Sequence, residues 1–219
     1  MAVIDPGLYR RASTRADALR PAVFLDRDGV IVEEVGYLHK VEDLVIIPSA
    51  PQAVASLNQA GVLVVVVTNQ AGIGRGYYTW AEFERVQAEI EARLLPGTLD
   101  GVWACGYHID GEVAELRKDH PWRKPHPGML LDAAEVLGID LSRSWLIGDK
   151  VLDIECAIAA GLQGAVLVRT GYGKDHEPKL RSLSPGSCTI SVADDIAAAS
   201  GWVVVARRLT LGHKCPRLE

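Results

Sequence analysis

Two aspartates, Asp26 and Asp28, lie two residues apart directly after the apolar run AVFL at 22–25. Carboxylates this close can bind a divalent cation, attack an electrophile or exchange a proton. An exposed aspartate-rich turn is the simplest alternative. A calcium loop is another, but its D-x-D-x-D-G spacing and terminal glutamate are absent. The pair alone does not separate these alternatives, so the residues that accompany it decide.

Polar residues also follow two other apolar runs. The tripeptide TNQ at 68–70 follows the run at 62–67, and GDK at 148–150 follows the run at 144–147. A lysine, Lys124, stands in an Arg-Lys-Pro segment further along the chain. Carboxylates, a hydroxyl and a lysine together make up the groups of a phosphate-transfer site.

The elements that must position these residues alternate along the chain. Short β-branched runs are separated by longer segments with helical spacing, and these runs cover 22–25, 62–67, 101–104, 144–147 and 164–168. Continuous apolar strands that alternate with helices predict a doubly wound α/β fold with a mostly parallel, Rossmann-like sheet. Ligands bind at the carboxyl ends of such strands, so the polar strand ends are expected to meet at one edge.

The predicted fold occupies residues 21–219 as one domain, preceded by a polar arm at 1–20. Two long connections, 29–48 and 105–126, are expected to form loops over the site, and neither is long enough for a large cap domain. The assignment of residues 175–219 stays open. Within them, SVADDIAAAS is typical of a helix, and the following GWVVVA fits an edge strand or a helix end.

Composition limits the partners. A formal net charge of −5 argues against broad binding to nucleic acid. The longest purely apolar run, Val62 to Val67, is far shorter than the roughly 18 residues of a membrane span, and the amino terminus lacks the apolar core of a secretory signal. Four cysteines (Cys105, Cys156, Cys188 and Cys215) form no CxxC pair. We therefore expect a cytoplasmic monomer with free thiols, no membrane contact and a small-molecule partner.

Four segments in order resemble the motifs of phosphatases in the haloacid dehalogenase superfamily. They are FLDRDGV at 24–30, VVVVTNQAGIGRG at 64–76, RKPHPGML at 123–130 and IGDKVLD at 147–153. The match runs from about Ala22 to Gly173. Within the superfamily it is closest to the D-glycero-D-manno-heptose 1,7-bisphosphate phosphatases, with histidinol-phosphate phosphatases as near relatives.

The resemblance implies a role for each motif residue. Asp26 would attack phosphorus to form an aspartyl-phosphate, and Asp28 would protonate the leaving alkoxide and then deprotonate the attacking water. Mg²⁺ would be held by Asp26, Asp149 and the main-chain carbonyl of Asp28. Lys124 and Thr68 would position the phosphoryl oxygens and balance their charge.

The second aspartate also bears on the reaction type. Superfamily members that cleave carbon–halogen bonds do not use an acid at Asp28, whereas phosphatases and mutases do. Mutases usually carry a larger cap, so phosphomonoester hydrolysis is favoured. Asp153, four residues after Asp149, either orients the water ligands of the metal or is an ordinary acid on a helix surface.

Substrate contacts follow from the same resemblance. The matching positions are Glu34, Val35, Gly36, Tyr37, Asn69, Gln70, Ala71, Arg123 and Lys150. Arg123 suits a second phosphate because a guanidinium binds it with two hydrogen bonds, although a solvated surface arginine is the alternative. Arg75 is a further candidate. The expected substrate is heptose 1,7-bisphosphate, cleaved at the 7-phosphate; another metabolite such as histidinol phosphate, or a non-catalytic phosphate-binding regulator, remain alternatives.

The resemblance breaks in the loop at 105–126. Many heptose bisphosphate phosphatases carry a zinc pattern, Cys-x-His followed by Cys-x-Cys, and the matching residues here are Cys105, Tyr107, His120 and Trp122. Tyr107 and Trp122 are not ordinary zinc ligands, so zinc is not expected and the two aromatic side chains are expected to pack the loop. A rearranged zinc site is the alternative, built from Cys105, His108, His120 and His126.

Overall fold

Seven strands form one sheet in the computed structural model, which describes residues 5–14 and 18–210 of the chain. In chain order the strands are β1 (Leu8–Ala12), β2 (Ala22–Leu25), β3 (Leu63–Asn69), β4 (Gly101–Cys105), β5 (Trp145–Gly148), β6 (Gly164–Val168) and β7 (Thr189–Ala193). The helices are α1 (Ala50–Gln59), α2 (Ala71–Gly74), α3 (Trp80–Leu94), α4 (Gly128–Leu137), α5 (Val151–Ala159), α6 (Gly173–His176) and α7 (Ile196–Thr210).

The strand order is β1-β4-β3-β2-β5-β6-β7, and every pair except β1–β4 is parallel. All residues of β2, β4, β5 and β6 are buried, as expected for parallel strands covered on both faces. The chain proceeds from β2 towards β4 on one side and from β5 towards β7 on the other. The predicted doubly wound α/β fold is confirmed, with its topological switch point between β2 and β5.

Helix α3 shows why these segments fold as they do. Its N-cap Thr79 and Glu82 form a capping box, with the Thr79 amide donating to the Glu82 carboxylate at 2.8 Å. Apolar side chains recur at intervals of three or four residues and bury one face against the sheet and its neighbours: Phe83, Val86, Ile90 and Leu94.

The sheet begins earlier than the sequence predicts. Residues 8–12 lie in the predicted arm, yet they form β1, antiparallel to β4 at the edge of the sheet. Tyr9 is buried and packs on Trp80 and Phe83 of α3, with ring centroids 5.9 and 5.1 Å away. Arg10 points the other way and bonds to Asp132 of α4 at 3.1 Å. The two adjacent arginines of LYRRA interrupt the apolar alternation that predicts a strand. Their charges are neutralised by distant parts of the chain, and the sequence does not show these contacts.

The carboxyl-terminal segment also departs from expectation. The strand β7 takes up the first part of the segment predicted as a helix, because it pairs with β6 along five residues. The helix begins at Ile196 and continues through GWVVVA, with Ile196, Ala199 and Val203 buried on one face. Residues 1–4, 15–17 and 211–219, including Cys215, lie outside the described residues; Cys105, Cys156 and Cys188 are free and buried.

The two long connections lie at the carboxyl edge of the sheet. The loop at 29–48 folds back on itself through main-chain bonds from Glu33 to Val45 (2.9 Å) and from Ile47 to Ile31 (3.0 Å). Neither connection contains more regular structure than a single 3₁₀ turn, at Val41–Asp43 and Ala114–Leu116. In the part of the chain that the structure describes, no helix combines the length and the apolar character needed to cross a bilayer.

Candidate active site

The polar residues after β2, β3 and β5 meet at the switch point of the sheet. Asp26 continues the β2–β5 ladder, since its amide donates to the Ile147 carbonyl at 2.9 Å. Thr68 lies near the end of β3, and Asp149 directly follows β5. Lys124 enters from the loop before α4. The fold thus brings together residues that are about 120 positions apart in the sequence.

Lys124 is buried among acceptors. Its ammonium donates to the Val67 carbonyl at 2.8 Å and forms ion pairs with Asp26 at 3.0 Å and with Asp153 at 2.6 Å. Burial alone would lower the pKa of this lysine, but the charges of Asp153 and Asp26 outweigh burial and raise it. Lys124 is therefore a fixed positive charge beside Asp26.

Three buried carboxylates, Asp26, Asp149 and Asp153, place one oxygen each within 4.8 Å of the others. Burial and the charge of Asp26 raise the pKa of Asp149 to about 7. Its Oδ1 atom has no hydrogen-bond partner, and the nearest cation is the ammonium of Lys150 at 3.6 Å. The Oδ1 atom of Asp153 likewise lacks a hydrogen-bond partner, and clustered carboxylate oxygens of this kind fit a hard divalent cation. The cluster includes the side chain of Asp153, which the sequence assigned only as an orienting or surface acid.

Backbone from two loops closes around Asp149. Its Oδ2 atom accepts the amide of Tyr172 at 2.9 Å, and Thr170 donates to the Gly29 carbonyl at 2.5 Å. Gly29 and Gly171 both have positive φ, and a Cβ at either position would collide with the Asp149 carboxylate. Both glycines are therefore required by conformation and by space.

Asp28 points to the other side of the site. Arg27 donates to both of its carboxylate oxygens, from Nε at 3.1 Å and from Nη2 at 2.9 Å. The side-chain amide of Gln70 also donates to this carboxylate, at 3.1 Å. The guanidinium of Arg27 is 1% exposed and lies 5.2 Å from the ring centre of Phe83. Sequence reasoning missed Arg27, because an arginine between two acids gives no indication of which acid it will bind.

Two of the predicted substrate contacts, Asn69 and Gln70, also bond within the protein. The Asn69 amide exchanges two 3.0 Å hydrogen bonds with the main chain of Lys124. Gln70 donates to Thr68 at 2.8 Å as well as to Asp28, and its oxygen accepts the hydroxyl of the buried Tyr78 at 2.6 Å. The side-chain amides of Asn69 and Gln70 therefore orient the site. Tyr78 was missed because the sequence shows nothing of this contact.

A cleft of about 180 Å³ opens over these groups. Its walls include Asp26, Asp28, Thr68 and Lys124, together with eight of the nine predicted contact residues, which are Glu34, Gly36, Tyr37, Asn69, Gln70, Ala71, Arg123 and Lys150. The ninth, Val35, is 51% exposed and does not line the cleft.

Two basic side chains, Lys150 and Arg123, line this cleft. Lys150 pairs with Glu34 at 3.1 Å and so ties the 29–48 loop to the end of β5. Arg123 donates from Nη1 to the Tyr107 carbonyl at 3.0 Å. Burial and the nearby positive charge of Arg75 lower the pKa of Arg123, and the Nε atom of Arg75 is buried without a hydrogen-bond partner. The side of the cleft at Arg123 is thus suited to an anion.

The 105–126 loop is held by other contacts than those of a zinc site. Tyr107 stacks on His120 at a centroid distance of 4.5 Å, and His126 contacts Asp119 at 2.9 Å. Burial raises the pKa of the Cys105 thiol to about 11. Among the described residues, the aspartate cluster is the one group of three or more His, Cys, Asp or Glu side chains close enough to share a metal. The alternative zinc set of Cys105, His108, His120 and His126 is not brought together.

Known proteins resemble this chain in sequence and fold. The family model described as HAD-hyrolase-like matches residues 121–200. The D-glycero-beta-D-manno-heptose-1,7-bisphosphate 7-phosphatase of Escherichia coli K12 is 44% identical over 153 residues, which cover 69% of this chain and 80% of that protein. The D-glycero-D-manno-heptose-1,7-bisphosphate 7-phosphatase of Thermosynechococcus vestitus is 43% identical over 191 residues, which cover 84% and 95%.

A solved structure agrees with these sequences. The D,D-heptose 1,7-bisphosphate phosphatase from B. bronchiseptica, complexed with magnesium and phosphate, has a TM-score of 0.74 at 28% identity and covers 85% of this chain and 99% of that chain. The identities to the curated relatives extend over two thirds or more of both chains, and the fold agrees over nearly the whole solved structure. The chain therefore belongs to the HAD-like hydrolases and is one of their phosphatases.

Proposed function

We propose that this protein hydrolyses the 7-phosphate of D-glycero-D-manno-heptose 1,7-bisphosphate through an aspartyl-phosphate on Asp26. The observation that carries the proposal is one cleft lined by a carboxylate next to a buried lysine, by a paired second carboxylate and by Arg123. Named relatives of the same family act on this sugar bisphosphate. A bisphosphate would place one phosphate at Asp26 and the other at Arg123.

Asp26 is prepared as the nucleophile. The ammonium of Lys124 lies 3.0 Å from its carboxylate and fixes its orientation, and the amide of Arg27 donates to its Oδ1 at 2.8 Å. Asp26, Asp149 and Asp153 would hold Mg²⁺, which when bound supplies positive charge for the phosphoryl oxygens. Attack by Asp26 forms the bond to phosphorus and releases the sugar alkoxide. A positive lysine and a hydroxyl at Thr68 compensate the charge that spreads over the phosphoryl oxygens.

Asp28 is placed for the proton transfers. It lines the cleft, and its carboxyl group is held in one orientation by Arg27 and Gln70. In the proposed reaction it gives a proton to the leaving alkoxide and takes one from the water that cleaves the aspartyl-phosphate. Gln70 also fixes the Thr68 hydroxyl, so the acid and the phosphate contact share one support.

The test is a substrate panel combined with one substitution. We expect heptose 1,7-bisphosphate, offered as both anomers, to give a higher kcat/KM than histidinol phosphate and simple monoesters. Asp26→Asn should reduce kcat by at least roughly 10³-fold, since the isosteric amide cannot form the intermediate. Arg11→Ala, remote from the cleft, is the control. Turnover by the Asp26 variant, or a clear preference for histidinol phosphate, would contradict the proposal.

A further inference from the structure

Residues 5–12, called the N-terminal strap below, lie against the start of the long loop that follows β4. The β1–β4 register ends with Leu8 opposite Cys105, the last residue of β4. Beyond this pair the strap continues over the loop, and the amide of Gly106 donates to the Gly7 carbonyl at 2.8 Å. The strap therefore contacts the loop as well as the sheet.

Tyr107 is the residue at which strap and loop meet. Its side chain is 1% exposed and packs against Gly7, where an added Cβ would lie 2.5 Å from the ring. Its hydroxyl donates to the carboxylate of Asp5. The ring stacks on His120, and the ammonium of Lys118 lies 4.4 Å from the ring centre in a cation–π contact. One buried ring thus joins the strap to the distal part of the same loop.

The main chain of Tyr107 leads directly to the cleft. Its carbonyl accepts the 3.0 Å hydrogen bond from Arg123, and Arg123 lines the cleft. A guanidinium binds a phosphate well only if its planar fork is aimed correctly. Because the ring of Tyr107 is fixed on both sides, the carbonyl that aims Arg123 is fixed as well.

We propose that the N-terminal strap is a positioning element of the active site, which acts through Tyr107 to hold Arg123 ready for the second anionic group of the substrate. Tyr107 is the positioning residue, and Arg123 makes the contact. This inference rests on the proposed function for its substrate, but its structural part does not. The strap also covers the edge of β4, so the test must separate aiming of Arg123 from general stability.

Two variants separate these roles. Gly7→Ala adds a methyl group that displaces the Tyr107 ring, and Tyr107→Phe keeps the ring and its stacking but removes the hydroxyl that donates to Asp5. Arg11→Ala, in the strap but paired with Glu91 of α3, is the matched control. Each full-length variant is assayed with heptose 1,7-bisphosphate and with p-nitrophenyl phosphate, which lacks a second phosphate. Hydrogen–deuterium exchange of residues 105–126 is measured in parallel.

For Gly7→Ala we expect a KM for the bisphosphate that is about tenfold higher, with kcat and the rate for p-nitrophenyl phosphate changed less than about twofold. Tyr107→Phe should show the same pattern with a smaller change, and the Gly106 amide should exchange faster in both variants but not in Arg11→Ala. Unchanged KM and exchange, or an equal loss with both substrates, would overturn the proposal. If the wild-type protein does not hydrolyse the bisphosphate, the proposed function fails, and loop exchange alone decides whether the strap orders the loop.

Discussion

At the scale of single residues, the site is a set of carboxylates whose neighbours give each a different task. Asp26 faces Lys124, Asp28 faces Arg27, and Asp149 keeps one oxygen without a hydrogen bond. Like charges this close would repel each other, but the buried cations separate them into distinct environments. The amide of Gln70 connects two of these environments by bonding both Asp28 and Thr68.

Tyr78 tests this connection. Its hydroxyl holds the Gln70 oxygen at 2.6 Å, and its ring stacks on His39. In Tyr78→Phe the ring remains and one hydrogen bond of about 1 kcal/mol is lost, so kcat should fall roughly fivefold with little change in KM. Tyr77→Phe, whose ring is 49% exposed, is the control and should keep full activity. Steady-state kinetics of both variants decide; a rise in KM without loss of kcat would argue against an orienting role.

At the scale of elements, the sequence predicts what depends on local pattern. The strands 22–25, 62–67 and 144–147 and the residues that follow them are predictable, because apolar runs and strand-end polar groups are local signals. The strand at 8–12 and the one at 189–193 are not, since their burial depends on distant partners such as Asp132 and β6. Asp26 and Asp149 are predictable because each follows an apolar run. The place of Asp153 in the acid cluster is not predictable, and neither are the bonds of Arg27 and Tyr78, because they depend on tertiary contacts.

The 105–126 loop yields a prediction at this scale. Tyr107 and His120 stand at two positions of the family zinc pattern and stack on each other, so the loop has a support that needs no metal. Protein purified without added zinc should therefore contain far less than one zinc per chain, and a zinc-selective chelator should leave its kcat/KM unchanged. Elemental analysis by mass spectrometry checks this, and stoichiometric zinc would contradict it.

At the scale of the whole molecule, the buried charges of the site lower the stability of the folded protein. The fold gathers three buried acids and compensates them only in part with Lys124 and Lys150. Such a centre opposes folding until a cation neutralises it. The free energy of unfolding should consequently depend on both metal binding and pH.

The pKa of Asp149 makes this linkage measurable. Burial raises it to about 7 from an ordinary 3.8. Between these two pH values the metal-free folded protein therefore keeps a proton on Asp149 that the unfolded chain has lost. The free energy of unfolding should therefore fall by up to a few kcal/mol as the pH rises from about 4 to above 7. Because Mg²⁺ bound at Asp149 would replace this proton, the increase in Tm on adding Mg²⁺ should be larger at pH 8 than at pH 6. Scanning calorimetry with and without chelator measures both effects.

Asp149→Asn supplies the reference, since the amide has no such proton to lose. Its metal-free form should show a weaker decline of stability over the same pH range, together with a smaller response to Mg²⁺. Equal pH dependence in the two proteins would assign the linkage to other groups. We expect the protein to be a monomer under the conditions of these measurements.

The antiparallel strand β1 has a consequence for solubility. Without it, the five residues of β4 would present unpaired main-chain groups at an open, apolar border of the sheet, which is a template for addition of a strand from another molecule. The strand that covers this border is short and carries Arg10 and Arg11, two features that discourage further growth of a sheet. Loss of this strand would thus expose an edge open to strand addition, so protection from aggregation depends on the same segment that contacts the loop after β4.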